Sequence, residues 1–251
     1  MPEIVYPPVI VAAKTMFRLL DLRIRVEGAE NVPRTGGAVL ASNHVSYLDF
    51  IFCGLGAHPA KRLVRFMAKE SVFRNRVSGP LMRGMKHIPV DRAAGLGSYR
   101  QALNALKGGE VVGVFPEATI SRSFTIKEMK SGAARMAAAA RVPLIPMAVW
   151  GTQRLWTKGR PRTLTRRHLP ISILIGEPLR PGPRDNGNEV MAELRTRMTA
   201  LLDRAQREYP EKPEGPADGW WQPAHLGGTA PTPEEAAVLD ARGKASGEEA
   251  E

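Results

Sequence analysis

Residues 37–49 read GAVLASNHVSYLD. Small and apolar residues from 37 to 42 make a short run bounded by glycine before it and Asn43-His44 after it, the pattern of a buried strand. The residues beyond His44 turn into a helix. A histidine at a strand end with a carboxylate, Asp49, one helical turn further on can work as a pair. The carboxylate accepts from one ring nitrogen and fixes the tautomer, leaving the other nitrogen to take a proton. The helix N-terminus beside them offers partial positive charge to an oxyanion. The same residues also fit a plainer arrangement, in which Asn43 and Ser46 cap the helix and His44 is a buried hydrogen-bonding side chain.

Working outward, short apolar β-prone runs recur at residues 63–68, 87–90, 111–115, 144–149 and 171–175. Helical stretches lie between them. Ser98 and Gln101 read as a capping box ahead of Leu103 and Leu106, with Gly108-Gly109 as the stop. Residues 131–141 are alanine-rich and closed by Pro143. A last helix over 189–209 places Val190, Leu194, Met198, Leu201 and Leu202 on one face. Strands alternating with helices predict an α/β fold: a single layered domain with a mostly parallel central sheet flanked by helices. At the front, Pro7-Pro8 can start an amphipathic helix over about 7–22, with Val9, Ala13, Met16 and Leu20 at helical spacing and Lys14 and Arg18 on another face. Such a helix fits either a core or a membrane interface. From Pro210 on, Pro, Gly, Glu and Ala dominate and apolar periodicity stops. The expected organisation is therefore a domain over 1–210 and an extended or disordered tail over 211–251, with Trp220-Trp221 tucked into a groove or serving as an anchor.

Charge narrows the partners. The 251 residues hold 36 Lys+Arg against 25 Asp+Glu, a formal +11, and the tail is acidic, so residues 1–209 carry +17. Such a surface attracts polyanions: nucleic acid, anionic lipid or phosphorylated small molecules. Residues 61–92 alone carry nine bases against Glu70 and Asp91. No run approaches the roughly 20 apolar residues of a spanning helix, and no secretory leader is expected. Cys53 is the only cysteine, which excludes an internal disulfide and thiolate-rich zinc sites and reads as an inert buried thiol. His87 reads as structural.

The chain lacks a phosphate-binding P-loop, a dinucleotide fingerprint, a zinc-protease helix and a nucleophile elbow. A second cluster does follow a strand, however: Phe115-Pro116-Glu117-Ala118-Thr119-Ile120-Ser121-Arg122-Ser123. A carboxylate, hydroxyls and an arginine at a strand's carboxyl end can bind a phosphorylated polyol.

Together these pieces resemble the glycerolipid acyltransferase family, most closely its 1-acylglycerol-3-phosphate acyltransferases. The family block N-H-x-S-x-x-D is matched by Asn43, His44, Ser46 and Asp49. A glycine, an apolar strand and D-R resemble residues 84–92, F-P-E-G-T-R-S is similar to residues 115–121, and V-P-x-x-P is matched by residues 142–146. The likeness spans about residues 30–180. Two departures stand out, Ala118 for the family's glycine and Ile120 for its arginine.

The resemblance implies transfer of a fatty acyl group from acyl-CoA or acyl carrier protein to the free hydroxyl of lysophosphatidate, giving phosphatidate. His44 is then the general base and Asp49 its orienting partner. Asn43, Ser46, Glu117, Thr119 and Ser121 are expected to bind and position the acceptor, Arg92 to neutralise its phosphate, and Arg122 or Arg92 to replace the family arginine. No metal and no cofactor beyond the acyl donor is expected. The expected partners are the lysophospholipid acceptor and an anionic membrane surface, not nucleic acid, with the protein peripheral on the cytoplasmic face. The Ile120 departure leaves open another lysophospholipid or glycolipid acceptor. A non-catalytic basic binding module accounts for the charge but not for His44, Asp49 and Glu117 at strand ends.

Overall fold

A computed structural model describes residues 3–91 and 95–245. Helix α1 (Tyr6–Leu19) leads into β1 (Arg23–Glu27) and β2 (Ala38–Ser42), followed by α2 (Asp49–Ala57) and β3 (Val64–Lys69). Two short helices, α3 (Glu70–Arg74) and α4 (Ser78–Gly84), precede β4 (Ile88–Val90), α5 (Gly95–Lys107) and β5 (Val111–Val114). Then come α6 (Gly132–Ala140), β6 (Leu144–Trp150), β7 (Pro170–Ile175), α7 (Gly187–Arg207) and α8 (Pro233–Ala245). The seven strands form one sheet in the order β1-β7-β6-β2-β5-β3-β4. Every pairing is parallel except β6 with β7.

Both faces of the sheet are covered, which is why its central strands are apolar without alternation. All five residues of β2 and all seven of β6 are buried. The pleat divides them. Val39 and Ala41 face a core shared with α5, α6 and α7, whereas Ala38 and Leu40 face Phe52 and Cys53 of α2 and Phe17 of α1. Phe17 stacks on Phe52 with ring centroids 4.8 Å apart, docking α1. The opposite side of α1 keeps Val11 at 63% and Leu19 at 68% exposure.

Three local expectations change. Helix α5 is already formed at Gly95, so Ser98 lies inside it, buried, and caps nothing. Edge strand β1 was not anticipated, because Arg-Ile-Arg-Val-Glu alternates charge with apolar residues on a half-exposed edge. Residues 211–245 fold back onto the domain instead of extending away. Trp221 is buried with Arg154 over its ring at 4.2 Å, and Thr232 and Glu235 close a capping box that starts α8. Ala236, Asp240 and Gly243 form the buried side of α8. That face contains one methyl, one carboxylate and no side chain, so hydrophobic periodicity could not reveal it.

Candidate active site

Strands β6, β2 and β5 are parallel neighbours, so their carboxyl ends bring residues 43–48, 115–130 and 151–160 to one edge of the sheet. His44 opens the first of these loops. Its Nδ1 lies 3.0 Å from Oδ2 of Asp49, the first residue of α2. Asp49 is fully buried. The same oxygen accepts from the backbone N–H of Val45 at 2.7 Å and of Ser46 at 2.8 Å, while Oδ1 accepts from the Thr152 hydroxyl at 2.6 Å. Four donors and the α2 N-terminus hold this carboxylate in place. A carboxylate only accepts, so in a neutral ring paired with it the proton sits on Nδ1 of His44 and Nε2 keeps its lone pair.

The imidazole stacks on Phe115 at 4.2 Å, and Phe115 stacks on Phe66 at 5.9 Å. Gly113 makes this stack possible: a Cβ there would stand 2.4 Å from the Phe66 ring. One face of His44 is thus fixed against aromatic carbon, while 20% of its side chain stays exposed.

The second loop turns at Pro116. The Ala118 N–H donates to Phe115 O at 3.0 Å, and Ala118 adopts φ 60°. Glycine takes that conformation freely; an alanine pays roughly 1–2 kcal/mol for it. Glu117 joins the loops. Its Oε1 accepts from the His44 N–H and its Oε2 from the Lys127 N–H, each at 2.9 Å. Burial pushes its carboxyl up to about 7, against the pull of those two backbone donors. The Ser121 N–H donates to His44 O at 2.7 Å, and its hydroxyl donates to Thr125 O at 2.7 Å.

The remaining expected residues fall into two groups. Asn43, Ser46, Glu117 and Ser121 are buried, and their polar atoms are taken by the protein's own partners, so they shape the loops that carry His44. Asn43 spans to β6, donating to Val149 O at 3.0 Å and accepting from its N–H at 2.7 Å, which replaces the helix cap expected of it. The Ser46 hydroxyl donates to Trp156 O at 2.7 Å. Thr119 is partly exposed at the loop surface, and Arg122 pairs with Asp240 of α8. Arg92 lies outside the described residues. Ile120 is buried, so its position presents no cation. His87 accepts from the Phe66 N–H at 3.0 Å, and burial, with the nearby Arg65 charge, lowers it to about 4. Burial also raises the Cys53 thiol.

Thr152 is the residue that reading the sequence did not find. It follows Gly151, at φ 100°, just beyond β6, and the same strand-end rule that singled out His44 applies to it.

Comparison with known proteins shows the family and the fold. The Acyltransferase family model matches residues 23–150. A 1-acyl-sn-glycerol-3-phosphate acyltransferase of Bacillus subtilis (strain 168) is 33% identical over 167 residues, covering 64% of this chain and 77% of that protein. A chloroplastic 1-acyl-sn-glycerol-3-phosphate acyltransferase of Arabidopsis thaliana is 29% identical over 162 residues, covering 62% of this chain but 44% of the plant protein. In fold, the chain resembles the crystal structure of the 1-acyl-sn-glycerophosphate acyltransferase PlsC from Thermotoga maritima, with a TM-score of 0.67, 23% identity, and coverage of 82% of this chain and 81% of that one.

Proposed function

The chain belongs to the acyltransferase family, and from that premise we propose that it transfers a fatty acyl group from a thioester to the free hydroxyl of lysophosphatidate, forming phosphatidate. The observation that carries this reading is the His44–Asp49 pair, with Nδ1 held at 3.0 Å and Nε2 left open. Nε2 takes the acceptor's hydroxyl proton as the oxygen attacks the thioester carbonyl. The carbon–oxygen bond forms, the carbon–sulfur bond breaks, and the imidazolium returns its proton to the departing thiolate. Asp49 stabilises the charged imidazole between these steps. No covalent acyl-enzyme takes part.

The donor is acyl-CoA or acyl carrier protein. We assign the acceptor's phosphate to Arg92, within the basic stretch 61–92, because Ile120 offers no charge and the Arg122 Nε is already donating to Asp240 at 3.2 Å. Work at an anionic membrane surface is supported by exposed Ile4, Val11, Met16 and Leu19 at or beside α1, and by Val72, Val77 and Leu81 on the neighbouring α3–α4 unit, interspersed with Arg74, Arg76 and Arg83. No helix among the described residues is long and apolar enough to cross a membrane. We place the protein as peripheral on the cytoplasmic face.

The buried Ile120 favours one second reading, the same chemistry on a different lysophospholipid or glycolipid acceptor. Incubation with anionic vesicles, a long-chain acyl-CoA or acyl carrier protein, and either lysophosphatidate or lysophosphatidylglycerol separates the two. Phosphatidate formation supports the first reading, and acylation of the other lipid alone supports the second. No acylated product with either lipid would overturn the first.

A further inference from the structure

Asp240 of α8 binds three cations from two different loops. It accepts from Arg122 Nε at 3.2 Å and from Lys158 Nζ at 3.3 Å, and it also pairs with Lys127 Nζ. Each of these residues stands next to a bond that fixes His44 or the residues directly after it. Arg122 follows Ser121, whose N–H donates to His44 O. The Lys127 N–H donates to Glu117, which holds the His44 N–H through its other oxygen. Lys158 follows Thr157, whose hydroxyl donates to Val45 O at 2.6 Å, and the same loop takes the Ser46 hydroxyl and the Tyr47 N–H on Trp156 O. Burial acts to raise the Asp240 carboxyl, yet Lys127 and Lys158 hold it below the usual carboxylate range. Asp240 lies far beyond residues 23–150, the part matched by the family model.

We propose that Asp240 is a positioning residue for acyl transfer, a carboxylate on the C-terminal helix that locks together the two loops whose bonds orient His44. Without its charge, three cations converge with that anion gone, and their mutual repulsion drives apart the loops on which His44, Val45 and Ser46 depend. The proposal rests on the acyltransferase reading above.

The test uses the full chain as Asp240→Asn, Asp240→Glu and, on the exposed side of α8, Val238→Ser. Asp240→Asn should lower kcat about tenfold with acceptor KM little changed, because displaced geometry slows the chemical step more than it weakens binding. Asp240→Glu should restore part of the rate, and Val238→Ser should match the wild type. In parallel, the backbone amides of Val45 and Ser46 should exchange faster in Asp240→Asn, a readout that needs no turnover. Wild-type kcat and unchanged exchange in Asp240→Asn would overturn the inference, as would a loss confined to KM. If the wild type transfers no acyl group, the functional reading fails, and amide exchange alone decides whether Asp240 holds the loop.

Discussion

A buried carboxylate serves each of the loops after β2 and β5, Asp49 at the start of α2 and Glu117 within the second loop, and the two are put to different uses. Asp49 accepts from four donors, one of them the ring of a partly exposed histidine. Glu117 accepts from two backbone N–H groups on separate loops. The first arrangement orients the ring that we propose as the proton acceptor. The second is a clamp, and its carboxyl, with fewer donors to offset its burial, rises to about 7. The residue type therefore does not assign the role; the donors around the carboxylate do.

Substitutions in the two loops should separate these roles, with effects that shrink in order. His44→Ala should cost at least about 10²-fold in kcat with the fold intact, and near-normal turnover in a folded variant would break the contrast. Asp49→Asn should cost kcat and stability together. Its amide has one acceptor oxygen where the carboxylate has two, so with that oxygen on Val45 and Ser46 the Thr152 hydroxyl loses its acceptor, and a buried donor left unpaired costs about 1–3 kcal/mol. A melting curve like that of His44→Ala would show that Asp49 serves the ring alone. Glu117→Gln tests the clamp through pH. The native carboxyl binds its proton more tightly than the unfolded one, so the stability this group contributes is complete below about 4 and is lost as pH rises through about 7. Wild-type stability should therefore fall relative to Glu117→Gln across that interval, by about 3 kcal/mol, and a flat difference in thermal melts would refute the raised carboxyl. Ala118→Gly should raise stability by about 0.5–1 kcal/mol, since glycine relieves the positive φ but is freer when unfolded. A lower melting temperature in that variant would mean the turn is not strained.

Much of the layered architecture was readable because buried parallel strands write themselves as short apolar runs, as residues 38–42 and 144–150 do. The pairing of His44 with Asp49 was readable because five residues of chain bring the two side chains together across one turn. Contacts made by folding from a distance left no local trace. Thr152 reaches Asp49 across 103 residues, and Asp240 reaches Arg122 across 118. Glu117 was found, but its use was not, since a motif gives the residue and not the partners that occupy its oxygens. Helix α8 was missed because it docks through a charge where an apolar stripe would have been visible.

The central claim is direct transfer by a histidine base with no acyl-enzyme, and rapid-mixing measurement of free thiol from a long-chain acyl-CoA or acyl carrier protein tests it. The wild type should release thiol only when lysophosphatidate or another acylatable lysolipid is present, without an initial burst. A stoichiometric burst of thiol in the absence of any acceptor would contradict the account, because it would require a covalent nucleophile where His44 is assigned only a proton.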